Sequence, residues 1–189
     1  MAKVAKIWDG TAWVDLATSV PDLSNYQLKS ESGLTFIKKQ TIGTAVSSVT
    51  VTDAFSATYE NYKIVVSGGT ASAGLNCHMV LGASATQYYA GLSITTFATG
   101  AGSNFAANNL TTWPYVGYFD TNGHRVTIDV LNPFLAKYTT YDGPYIAVNS
   151  AGYVAGVHNQ NTSYTDFTLS SPGGTVTGGT IYVYGYNKG

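Results

Sequence analysis

The chain has 189 residues, of which 44% are hydrophobic and only 10% charged, with a net charge of −1. Charge is far below the roughly 25% of an average soluble domain, yet no apolar run approaches the ~20 residues a spanning helix needs. The balance also lacks the basic surplus that steers a protein to nucleic acid or an anionic membrane, and the lone Cys77 excludes an internal disulfide framework and a cysteine-based zinc site.

The residue choices point to strands. Fifteen Tyr and 21 Gly stand beside only two Met. Tyr, Thr and Val suit a pleated surface, and Gly, Asn and Ser suit tight turns. The expected class is all-β, an antiparallel β-sandwich of jelly-roll type preceded by a small N-terminal hairpin or arm. The boundary is placed near residue 33, giving an anchor and linker over 1–33 and a sandwich over 34–189.

In chain order, Lys3 and Lys6 are followed too soon by Trp8-Asp9-Gly10 for the apolar stretch of a signal peptide. Synthesis in a reducing cytoplasm is therefore expected. Val4–Trp8 and Ala12–Leu16 flank Asp9-Gly10-Thr11, a tight-turn signal, and form a hairpin. Two strands alone are marginal in water, so the hairpin is expected to pack its Trp residues on a partner. Asp22–Lys29 has the pattern of about two helical turns capped by Asp22. Strands are predicted at Leu34–Thr41, Ser47–Thr52, Tyr62–Ser67, Asn76–Leu81, His124–Leu131, Tyr145–Asn149, Tyr153–His158, Asp166–Ser170 and Thr180–Tyr186. Gly91–Pro114 shows no clear strand pattern and reads either as a long functional loop or as strands that the pattern hides.

Between Lys63 and Asp120 there is no Asp, Glu, Lys or Arg, a run of 56 residues (64–119). An exposed surface normally carries interspersed charge, whereas interface cores are depleted in it. Self-association is expected, with part of this region at the contact.

Catalytic patterns are thin. Glycoside hydrolysis needs two carboxyl groups about one bond, and Asp120, Asp129 and Asp142 are the acids whose approach would supply them. Asp120 reads more simply as the start of a turn and Asp129 as a wet-face residue. His78, His124 and His158 are scattered and more consistent with satisfied strand histidines than with a three-His zinc site. No Gly-x-Ser-x-Gly elbow, phosphate loop or complete calcium loop occurs. The expectation is no enzyme, no cofactor and no metal. Binding is better supplied: Tyr88, Tyr89, Trp113 and Tyr115 lie near Asn108 and Asn109 in sequence, and Asn159 and Asn161 near Tyr164. Aromatic faces with amide and hydroxyl groups suit a sugar; the alternative is that these aromatics are core or subunit contacts.

Three segments carry a resemblance. Ala5–Val14 (AKIWDGTAWV) with Val20–Tyr26, Phe55–Val66 leading to a later Tyr88-Tyr89 pair, and Gly178–Tyr186 (GGTIYVYGY) resemble segments of bacteriophage tail-fibre and minor structural proteins. The resemblance implies a virion protein: a trimeric β-domain projecting from the particle and held by an N-terminal anchor, here Ile7, Trp8, Trp13, Val14 and Leu16. It implies partners among other virion proteins and a host surface glycan or protein. The chain departs from a long fibre in having no coiled coil or collagen-like repeat. That leaves a short tail appendage or a capsid-decoration protein as the two implied roles, with a polysaccharide depolymerase as a third.

Overall fold

The computed structural model describes residues 6–15 and 33–188, and the chain divides into two units, 1–32 and 33–189. In the first, β1 (Lys6–Trp8) and β2 (Trp13–Asp15) pair antiparallel, with Ile7 opposite Val14 and Trp8 opposite Trp13. Asp9 closes the turn. Its carboxylate accepts from the Thr11 N–H, the Thr11 hydroxyl and the Ala12 N–H, each at 2.8 Å, and Gly10 takes the positive φ of +100° that the turn requires. Those amide bonds hold the Asp9 carboxyl below the usual carboxylate range. Because side chains alternate across a strand, the Trp pair marks one face and Ile7 with Val14 the other. Ile7, Trp8 and Trp13 are all exposed. Leu16 and the predicted Asp22–Lys29 helix lie outside the described residues.

The second unit is a β-sandwich. Its strands are β3 (Leu34–Thr41), β4 (Ser48–Val51), β5 (Asn61–Ser67), β6 (Thr70–Ala71), β7 (Leu75–Leu81), β8 (Tyr88–Thr96) and β9 (Gly102–Leu110). They continue with β10 (Trp113–Phe119), β11 (Val126–Leu131), β12 (Thr139–Ile146), β13 (Ser150–His158), β14 (Phe167–Ser170), β15 (Val176–Thr177) and β16 (Thr180–Tyr186). Eight form one antiparallel sheet, ordered β3-β16-β5-β11-β12-β13-β8-β9, and four form the second, β10-β7-β14-β4, with β6 and β15 a small extra pair. Among the described residues there is no helix.

Period-two alternation explains which face is dry. Tyr62, Ile64 and Val66 of β5, Val126, Ile128 and Val130 of β11, and Ile181 and Val183 of β16 point inward. From the small sheet Val51, Cys77, Met79, Leu81, Phe167 and Leu169 meet them. Phe55 stacks on Phe167 at 5.6 Å and meets Tyr62 edge-on at 4.8 Å. Burial of this kind stabilises by about 25 cal/mol per Å² of apolar surface.

One open reading is decided and one boundary is corrected. The stretch Gly91–Pro114 is not a loop: it completes β8, forms all of β9 and enters β10. Its strands were hidden because the wet face of β8 is built from Gly91, Ser93 and Thr95 rather than charged residues, and β9 buries only Ala107. The strand expected at Tyr145–Asn149 begins earlier, at Thr139, and turns at 147–149. β11 pairs β12 only as far as Asp142. Pro144, which has no N–H to give, stands where that ladder has already ended.

Candidate functional site

The outward face of the large sheet carries a trough that runs across strands β12, β13, β8 and β9. Register defines it. One cross-strand row reads Asp142, Ala155, Gly91, Ala106. These side chains are small except at the Asp142 end, so they make a floor. Two residues further along each strand on the same face stand larger groups. One wall is Thr140, Val157 and Tyr89; the other is Pro144, Tyr153, Ser93 and Asn104. At roughly 3.3 Å per residue and 4.8 Å between strands, the walls stand about 13 Å apart, backbone to backbone, and the floor is about 14 Å long.

Neighbouring cavities over this floor share Gly91 and Ala155 in their lining. A cavity of 540 Å³ lies against Tyr89, Gly91, Leu131, Asp142, Ala155 and Val157, and one of 310 Å³ lies against Gly91, Ser93, Asn104, Tyr153 and Ala155. A third, 250 Å³, extends from Leu131 and Asp142 to Asn61, Asp129 and Tyr186. Nothing stands within 4 Å of where a Cβ on Gly91 would be. Tyr153 is 54% exposed.

The acidic end has defined electrostatics. Asp129 and Asp142 are direct cross-strand partners, a placement that like charges disfavour. The two carboxylates are engaged differently. Asp129 accepts from Lys63 Nζ at 3.0 and 3.2 Å and from the Tyr186 hydroxyl at 2.5 Å. Asp142 accepts from the Tyr153 hydroxyl. Burial works against the Lys63 charge, but the hydrogen bond and attraction of Asp129 outweigh it and raise the lysine pKa. The bond to Asp142 raises the Tyr153 phenol, and burial followed by the bond to Asp129 raises Tyr186. Both hydroxyls are protonated donors at neutral pH. Chemically the trough offers aromatic flanks, carboxylate and amide acceptors, and no cation along its floor or walls.

Of the residues singled out in the sequence, Tyr89 lies in this trough. Tyr88, Trp113 and Tyr164 do not: they are buried in the core about His158. Tyr88 stacks on the His158 ring at 4.1 Å, Trp113 meets Tyr88 edge-on at 5.3 Å, and the Tyr164 hydroxyl lies 2.7 Å from His158 Nε2. Tyr115 sits between the sheets, 6.3 Å from Phe105. Asn108 and Asn109 form a bulge in β9, where Asn109 adopts φ +54° and its side-chain Oδ1 accepts from Gln87 N–H at 3.1 Å. Asn159 donates its backbone N–H to the Gln87 carbonyl at 3.0 Å, and Asn161 is exposed in the following loop. Asn109 and Asn159 thus bond to Gln87, and none of the four asparagines is on the trough floor.

The three histidines occupy separate surroundings. His78 is bonded to Thr112, His124 meets Phe119 edge-on, and His158 is in the core. Among the described residues no three His, Cys, Asp or Glu gather as metal ligands. Of the acids weighed for acid–base chemistry, Asp129 and Asp142 come together, while Asp120 is buried elsewhere with Arg125 at 2.9 Å. Tyr153, Gly91 and Ala155 were missed as site residues, and Asp142 was weighed only for acid–base chemistry. Tyr153 carries the one available signal, an aromatic on the outward phase of a strand whose inward phase is Val154. Comparison with family models, with characterised proteins and with solved structures gives no match.

Proposed function

We propose that this chain is a non-enzymatic structural and recognition protein of a bacteriophage particle, a short tail appendage whose sandwich binds a neutral glycan of the host surface. The observation that carries the reading is the trough: small floor residues, Tyr89 and Tyr153 as flanks, and Asp142 and Asn104 as acceptors. Sugar rings present apolar faces to aromatic rings and hydroxyls to carboxylates and amides, and Lys63 at the acidic end is already held by Asp129, which favours an uncharged saccharide. The resemblance of AKIWDGTAWV and GGTIYVYGY to phage appendage segments supports the particle context. The exposed Trp8 and Trp13, with ring centroids 5.7 Å apart, supply apolar surface of the kind buried at interface hot spots.

The same hairpin supports a second reading, a capsid-decoration protein whose hairpin clamps the shell. Copy number separates the two. Quantitative mass spectrometry of purified particles is expected to find a few to a few tens of copies for a tail appendage. Hundreds would move the protein to the capsid, and absence from particles would overturn both. Binding is tested on neutral bacterial envelope polysaccharides by calorimetry, with released reducing ends assayed in parallel. Sugar release lost in Asp129→Asn or Asp142→Asn would replace the recognition reading with a depolymerase.

A further inference from the structure

We infer that the free edge of β9 is the surface by which this chain associates with a second copy of itself. Strand edges present unpaired N–H and C=O groups, and folded proteins guard them with lysine, proline, bulges or brevity. Among the described residues the sandwich's two principal sheets end at β3, β9, β10 and β4. The β3 edge carries Lys38 and Lys39; β10 contains Pro114 and an irregular register; β4 is only four residues long. β9 has nine residues, Gly102–Leu110, with neither a charge nor a proline, and its bulge touches one end only. About 30 Å of strand is therefore unguarded.

The inner side of that edge is unfinished as well. The large sheet overhangs the smaller one at β9, leaving Phe105 45% and Leu110 41% exposed. Behind Phe105 a slot of 240 Å³ opens between the sheets, lined by Leu92, Ile94, Tyr115, Tyr118 and Tyr145. A strand laid on β9 would satisfy the edge and cover the slot together.

Charge selects the occupant. β9 lies wholly within the 56-residue run (64–119) that holds no Asp, Glu, Lys or Arg. Such an edge meets its own copy without like charges in opposition, which the β3 edge with its two lysines cannot do. It also has no charge with which to select a different, charged partner.

The test is the solution mass of the full chain by light scattering, with lysine placed on each edge. The native chain is expected at a multiple of 19.9 kDa. Phe105→Lys, and separately Ser103→Lys, are expected to give the 19.9 kDa monomer while keeping a cooperative thermal melt. Phe36→Lys on β3 is expected to leave the oligomer intact, and β9 amides are expected to exchange more slowly in the native chain than in Ser103→Lys. A native monomer, or an oligomer that survives both β9 lysines, overturns the inference. Mass is read without ligand or particle, so this result is independent of whether the glycan reading holds.

Discussion

At the scale of single residues, aromatic side chains of similar size do opposite things here, and substitution separates them. Trp113 is fully buried, 4.6 Å from the Tyr141 ring. Trp113→Ala is expected to cost about 3–5 kcal/mol of stability in chemical denaturation. Tyr153→Ala removes an exposed flank of the trough. It is expected to leave the denaturation midpoint unchanged and weaken saccharide binding by about tenfold or more, the equivalent of ~1.4 kcal/mol. The buried histidines make a further prediction. Burial lowers the pKa of His158 against the Gln87 carbonyl's opposing pull, and lowers that of His124 against the attraction of Asp120. A histidine with a folded value below its unfolded one binds its proton more readily when the chain is unfolded. Its contribution is complete above the unfolded pKa of about 6.5 and is lost as pH falls from there towards the lowered folded value. Denaturation midpoints are expected to fall between pH 7.5 and 5, and His158→Gln to flatten that slope.

Elements were legible where alternation is written in residues of contrasting polarity. Arg125–Val130 and Asn61–Val66 alternate polar or charged groups with apolar ones often enough to mark strands, and β5 and β11 form there. β8 alternates too, but between Gly, Ser and Thr outside and Ala and Leu inside, a contrast too shallow to read. β9 has almost no inner-face partners, so its pattern carries no burial signal. The floor of the trough belongs to this scale, since it exists only through the register of four strands. Gly91→Val tests it. The site of the new Cβ is open and the backbone is ordinary strand, so folding is expected to be unharmed, or aided by β-propensity. The added isopropyl group occupies the floor, and calorimetry is expected to show saccharide binding abolished. Binding unchanged in Gly91→Val would remove the trough as the site.

At the scale of the whole molecule, the hairpin and the sandwich are separate units with separate tasks in the proposed reading. Trp8→Ala with Trp13→Ala is expected to leave the sandwich melt unchanged and to prevent incorporation into particles, measured by immunoblot of purified virions. By itself the sequence determined the all-β class, the sandwich and the hairpin turn at Asp9-Gly10. These depend on local preferences and on period-two burial, both of which are written along the chain. The tertiary structure alone decided which aromatics face water. Tyr88 and Tyr89 are adjacent in sequence, and strand phase sends the first into the core against His158 and the second to the trough. It also decided that Asp129 and Asp142, 13 positions apart, stand opposite each other, and that β9 ends the sheet unguarded. Register and strand order arise from pairings between distant segments, and those pairings leave no mark on any one stretch of sequence.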